Sequence, residues 1–217
     1  MPRLLLIRHA TTASTRRAAF PATSGRAVDP ACEPLDAAGR AAAAALGRAL
    51  PRVDRCWTSH AVRALETAGA MGLTPDVRMP ELAEGDFGVW AGQTLDEVHA
   101  SDPDGLAGWF ADLTTAPHGG EPLADVTRRA ATVLAAAADA DGTTVAVSHS
   151  GLIRAVLLEV LDLPAPMMWR LEVTAPSVTE LHPGSGGWRL VRLNWTPRLV
   201  ARPTAAAPGG DAAEDAP

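Results

Sequence analysis

The sequence predicts a three-layer α/β/α sandwich built on a mostly parallel central sheet. Three observations carry this expectation. The apolar run at residues 4–7 and the β-branched run at 143–147 read as buried strands, because a strand covered on both faces shows no polar alternation, and 53–57 reads as a further short strand. Alanine-rich segments at 37–50 and 126–138 read as helices between them. Strands that alternate with helices along the chain place helices on both faces of the sheet.

The first strand, residues 4–7, is wholly apolar. Residues 11–34 are polar, carry Pro21, Gly25, Pro30 and Pro34, and read as loop. Asp36 is placed to cap the alanine-rich helix, which Pro51 stops. The second strand, 53–57, is followed by Ser59, a suitable cap for a helix running to Met71. Residues 75–92 read as irregular and 95–113 as one or two short helices. The P-H-G-G-E-P segment from Pro117 is a turn. After the 126–138 helix and the 143–147 strand, S-H-S-G leads into a helix over 152–161. Residues 178–181 and 188–193 close the sheet as a strand pair around a turn at 184–187. Residues 1–198 are expected to form a single domain with a small cap at 86–122. Residues 199–217, rich in Ala, Pro, Gly and acidic residues, are expected to be a disordered tail.

Composition narrows the function classes. With 217 residues and 47% hydrophobic content, the chain suits one well-buried domain. Its net charge of -6 gives no general attraction to nucleic acid or to an anionic membrane. Any bound phosphate must then be met by a local cluster of arginines. Cys32 and Cys56 have no metal-binding spacing and read as ordinary small apolar residues of a reducing compartment. The apolar run at the N-terminus is too short for a signal sequence, and no segment reaches the length of a membrane span. A soluble, cytoplasmic protein is expected, with a small-molecule partner, neither nucleic acid nor membrane, and room for a homodimer through an edge strand.

Binding sites of open α/β folds lie at the carboxyl ends of the strands. His9, beside Arg8, follows the first strand, and His149 follows the 143–147 strand. Arg63 lies early in the helix after the second strand. These residue types suit phosphoryl transfer, where charge spreads over non-bridging oxygens and fixed cations must surround it. A neutral imidazole nitrogen is a good nucleophile near pH 7. A helix starting after His149 aims its N–H groups at an anion, and a carboxylic acid is needed to protonate a departing alkoxide.

Four stretches, in order, resemble the motifs of the histidine phosphatase superfamily, phosphoglycerate-mutase-like branch. They are L-L-L-I-R-H-A-T-T, T-S-H-A-V-R-A-L-E-T-A, L-A-E-G-D-F-G-V-W-A-G and V-S-H-S-G-L-I-R, and they span about residues 3–195. The resemblance implies that His9 is transiently phosphorylated, and that Arg8, Arg63 and His149 bind the phosphoryl oxygens. It implies that Glu84 protonates the leaving oxygen and then activates water, with no metal and no cofactor. Glu81 competes for the acid role, but the spacing to Phe87 and Gly88 favours Glu84. Thr15 stands about where the family often has a phosphate-contacting asparagine. Ser150 is expected at the phosphate, and His118 and Glu121 of the turn at the substrate mouth.

The chain also departs from the pattern. Ala10 replaces the usual glycine, which would strain the chain if that position needs φ > 0. Thr11 replaces a glutamate or glutamine, and Ser150 precedes the glycine expected directly after the second histidine. Arg16 and Arg17 read either as substrate contacts or as a solvated basic pair. Trp90, Trp109, Phe110 and Trp169 read as core or lid residues, and Arg154 as a structural ion-pair partner. The short connection between Gly92 and the 126–138 helix resembles the phosphatase side of the family rather than its mutases. The likeness is greatest to small-molecule phosphatases of the alpha-ribazole type, which act in cobalamin assembly. A mutase-type phosphotransferase and a non-catalytic phosphate-binding module are the alternatives.

Overall fold

The computed structural model describes residues 1–22, 24 and 33–197. Cys32 and the expected tail at 199–217 lie outside the described residues. Among the described residues the sheet has six strands in the order β3-β2-β4-β1-β5-β6. Strand β1 (Arg3–Arg8) lies at its centre, parallel to β4 (Thr143–Ser148). Strand β4 is parallel to β2 (Arg55–Thr58), which is parallel to β3 (Val77–Arg78). Antiparallel to β1 runs β5 (Ser177–Gly184), which forms a hairpin with the edge strand β6 (Gly187–Trp195). The sheet is therefore mixed, with a parallel half and an antiparallel edge.

The period of two along β1 explains its unbroken apolar sequence. Leu5 and Ile7 pack with Val145 and Val147 against α2 (Ala37–Ala49) and α3 (Val62–Ala70) through Leu46, Ala64 and Ala68. Leu4 and Leu6 point to the other face, against α6 (Leu123–Ala138) and α7 (Ser150–Leu161) through Val126, Val133, Leu152 and Val156. Both faces are covered, so neither tolerates a polar residue. Small alanines on α2 and α3 let these helices approach the sheet closely. Asp36 caps α2 by accepting from the Gly39 N–H at 2.6 Å. No described helix is long and apolar enough to cross a membrane. Burial and the neighbouring Asp76 carboxylate push the Cys56 thiol up to about 12, which suits an unreactive core residue.

Two local readings need correction. The expected loop at 11–34 contains a short helix α1 (Ala13–Arg17), because Thr12 and Thr15 form a reciprocal capping box. Ser59 does not cap α3, whose N-cap is Ala61 with no side-chain hydrogen bond. The expected helical stretch at 95–113 resolves into α4 (Leu95–Ser101) and α5 (Pro103–Ala111), broken at Asp102 and Pro103.

The sheet aligns three strand ends. Arg8 pairs with Ser148, and Thr58 with Val147, in adjacent parallel strands. The next residues, His9, Ser59 and His149, consequently leave the sheet at the same edge.

Candidate active site

At that edge, Arg8, His9, Arg63 and Glu84 line a single cavity of about 480 Å³, within the range of small-molecule sites. His9 is held by its N–H, which donates to the Ser148 carbonyl at 2.9 Å. Its Nδ1 lies 2.8 Å from the Ala10 carbonyl. A carbonyl only accepts, so Nδ1 carries the proton, and the neutral ring presents a lone pair at Nε2. Burial, then the charges of Arg63 and Arg8, hold the His9 pKa well below the usual histidine value. These influences favour the neutral ring, with its Nε2 lone pair free.

The Ala10 backbone is not among the positive-φ residues, so alanine there carries no strain. Its N–H donates at 3.0 Å to Thr67 Oγ1, which in turn donates at 2.6 Å to the Arg63 carbonyl. This pair of bonds ties the end of β1 to the helix that carries Arg63. Thr11, the second departure, donates from Oγ1 to Asp36 at 3.1 Å and braces the start of α2.

Arg8 donates from Nη1 to the Val173 carbonyl at 2.5 Å. Arg63 is almost wholly buried, with Glu33 Oε2 at 3.9 Å from its Nη1. Burial by itself would raise Glu33, but hydrogen bonds from Ser14 and Thr12 and the charge of Arg63 outweigh it and keep the carboxyl below its usual range. Glu33 thus stays ionised and steadies Arg63.

His149, expected at the phosphate, does not line the cavity but packs beside His9, with ring centroids 5.0 Å apart. It is fully buried, and burial followed by the charge of Arg63 keeps it neutral as well. Its Nε2 is 2.8 Å from Ser59 Oγ, which also accepts from the Ala61 N–H at 3.3 Å. A hydroxyl has one proton and two acceptor lone pairs, so this contact accommodates either tautomer of His149. His149 Nδ1 has no hydrogen-bond partner among the described residues. Ser59 thus holds the His149 ring in place at Nε2. Ser59→Ala is expected to lower kcat about tenfold, with partial rescue by Thr. Equal kcat for the Ala, Thr and wild-type proteins would contradict this.

Glu84 enters from the opposite side. Its Oε2 accepts from the Gly151 N–H at 3.1 Å and the Ser150 hydroxyl at 3.4 Å. A Cβ at Gly151 would lie 2.2 Å from Glu84 Oε1, so only glycine lets the carboxylate sit against the first turn of α7. Glu81 does not line this cavity. Arg129 holds the loop between them. It makes two bonds to Glu121, at 3.0 and 2.8 Å, and donates to the carbonyls of Glu81, Ala83 and Glu84.

Other expected contacts move. Thr15 lines the cavity, but its hydroxyl donates to the Thr12 carbonyl at 3.0 Å and is engaged in the α1 cap. His118 does not line the cavity. Its ring is 1% exposed, packs 4.9 Å from Trp90, and accepts from the Gly120 N–H to close the turn. Glu121 is taken by Arg129, and Arg16 and Arg17 pair with Asp36 and Glu97. Arg154, expected in an ion pair, instead lines the cavity and donates from Nε to the Leu171 carbonyl at 2.8 Å.

Sequence reading missed Ser59, Glu33, Arg129 and Gly151, and misplaced Arg154. Arg154 had a signal: it lies four residues after Ser150 and so on the same helix face. Among the described residues, no group of three or more His, Cys, Asp or Glu side chains is gathered as a metal site would require.

The chain matches the model of the histidine phosphatase superfamily (branch 1) over residues 4–196. It is similar to the glucosyl-3-phosphoglycerate phosphatase of Mycolicibacterium vanbaalenii, with 37% identity over 117 residues, 47% of this chain and only about half (51%) of that protein. The protein of the same name from Mycobacterium tuberculosis is 31% identical over 173 residues, 72% of this chain and 71% of its own length. The solved alpha-ribazole phosphatase of Shigella flexneri shares the fold with a TM-score of 0.74 at 25% identity, over 89% of this chain and 96% of that one. With its four motifs converging on one cavity, the chain belongs to branch 1 of the histidine phosphatase superfamily.

Proposed function

We propose that this chain is a phosphomonoesterase that hydrolyses a small phosphorylated metabolite through phospho-His9. The observation that carries the reading is the His9 ring, fixed by the Ala10 carbonyl with Nε2 unprotonated, in a cavity shared with Arg8, Arg63 and Glu84. In the first step Nε2 attacks phosphorus and the P–O ester bond breaks. Protonated Glu84 gives its proton to the leaving oxygen. In the second step the Glu84 carboxylate takes a proton from water, which attacks the phosphohistidine and frees His9. Arg8 and Arg63, with His149 beside His9, match the charge that develops on the phosphoryl oxygens in both steps.

Residues 86–122 act in this reading as a small cap, since they supply Phe87, Leu95, Trp109 and Phe110 to the cavity wall. Alpha-ribazole phosphate and glucosyl-3-phosphoglycerate, the substrates in the relatives' names, are the specific candidates. Turnover of p-nitrophenyl phosphate in excess chelator tests the phosphatase reading. Activity is expected, to persist as pH falls through the ordinary histidine pKa, because His9 resists protonation, and to vanish in His9→Ala. Turnover that survives in His9→Ala would contradict it.

A further inference from the structure

The connection that leads into β5, residues 171–176, holds two of the arginines that line the cavity. Arg8 Nη1 donates to the Val173 carbonyl at 2.5 Å, and Arg154 Nε to the Leu171 carbonyl at 2.8 Å. Among the described residues, the bond to Val173 is the one that holds the Arg8 guanidinium, and its Nε has no partner. The place of the Arg8 fork therefore follows the place of the Val173 carbonyl. A carboxylate in that position would offset the charge of Arg8. A neutral carbonyl directs the guanidinium and leaves its charge for a phosphoryl group.

A residue that does not line the cavity fixes that connection. Asn194, near the end of the edge strand β6, accepts at Oδ1 from the Thr174 N–H at 2.6 Å and from the Thr174 hydroxyl at 2.8 Å. A backbone N–H only donates, so the side-chain atom facing it is the oxygen. The sheet explains how Asn194 reaches Thr174. Val178 pairs with Trp195 and Glu180 with Arg192, so two residues of β6 stand opposite the single Thr179. At this bulge Asn194 has a φ of 54°, in the left-handed region. Asparagine enters that region more readily than most residues, and unlike glycine it brings an acceptor. Arg8 pairs with Ser177 at the start of β5, so the clamped residues lie beside the end of β1. Leu171 is held separately, by its N–H on the Met168 carbonyl at 3.4 Å.

We infer that Asn194 is a positioning residue of the phosphate site: its two bonds to Thr174 set the Val173 carbonyl and, through it, the Arg8 guanidinium. This rests on the phosphomonoesterase reading above. Asn194 touches no reacting atom. Its loss acts on the binding of the phosphoryl group and its transition state, and it does so through Arg8.

The test measures orthovanadate affinity by calorimetry, which needs no turnover, together with kcat/KM for p-nitrophenyl phosphate. Asn194→Gly keeps the left-handed backbone and removes the acceptor. Both its vanadate affinity and its kcat/KM should fall roughly tenfold. Asn194→Asp keeps the conformation and the acceptor, and should recover most of that loss. Added to Arg8→Ala, Asn194→Gly should weaken vanadate binding by less than about twofold, because the group it positions is gone. Thr174→Val removes only the hydroxyl bond and should repeat the pattern with a smaller loss. It takes the place of Asn194→Gly if native circular dichroism shows that variant unfolded. Wild-type affinity and turnover in the folded variant would overturn the proposal, as would an equal loss with and without Arg8→Ala. Those results leave the phosphatase reading standing. A wild-type protein that binds no vanadate, turns over no ester and forms no phosphoprotein would overturn both.

Discussion

Glu84→Gln should lower kcat for an alkyl phosphate ester by roughly 10²- to 10⁴-fold, the usual contribution of a positioned general acid. The amide keeps the shape of the side chain and its carbonyl can still accept from the Gly151 N–H, so the loss is chemical rather than architectural. The leaving group then separates the two steps. Nitrophenolate departs without a proton, so p-nitrophenyl phosphate should still phosphorylate His9 in the variant. Hydrolysis of the phosphoenzyme still needs a base for water, so a stoichiometric burst should precede slow turnover. Glu81→Gln should keep wild-type turnover, because that side chain lies outside the cavity. Loss of activity in Glu81→Gln alone would overturn the assignment of the acid.

Arg129→Met has the largest expected effect on stability. Arg129 and Glu121 are both buried, and removing the guanidinium takes the opposite charge from a buried carboxylate and a donor from three backbone carbonyls. Breaking a buried pair in this way typically costs about 3–5 kcal/mol. The loss should appear as a lower denaturant midpoint with an unchanged slope. Those carbonyls belong to the loop that presents Glu84, so kcat should fall as well. The double variant Arg129→Met with Glu121→Leu should regain part of the stability, because no charge is left unpaired. A single variant destabilised by less than ~1 kcal/mol, or a double variant no better than the single, would show that the pair does not hold the loop.

The contrast between Arg129 and His9 shows what the sequence made legible. His9, Arg63 and His149 stand at strand ends or early in the helix that follows, so short-range reading located them, and the four motifs joined them to Glu84. The alternation of strand and helix was equally visible, since covering both sheet faces leaves its mark on every central strand. Arg129 has no local signal within its alanine-rich helix, because nothing near it in the sequence tells that Glu121 and the loop carbonyls fold over it. Ser59 had a plausible local use as a cap, and its contact with His149 joins the ends of two neighbouring strands that lie 90 residues apart in the sequence. His118 followed the turn chemistry of its segment, and only the packing against Trp90 reveals that its ring points into the core. Ala10 raised a conditional question that the backbone answers: its conformation is ordinary, so the missing glycine leaves the nucleophile loop intact. The errors fall where a side chain's partner lies far along the chain.

The central claim is that His9 Nε2 carries the phosphoryl group between the two half-reactions. Its most direct test is to quench the wild-type protein, and Glu84→Gln, within the first turnovers of p-nitrophenyl phosphate and map the phosphoryl group by mass spectrometry under non-acidic conditions. One acid-labile phosphate on Nε2 of His9, enriched in Glu84→Gln and absent from His9→Ala, is the predicted result. A phosphoryl group on any other residue, or rapid turnover that never labels His9, would contradict it.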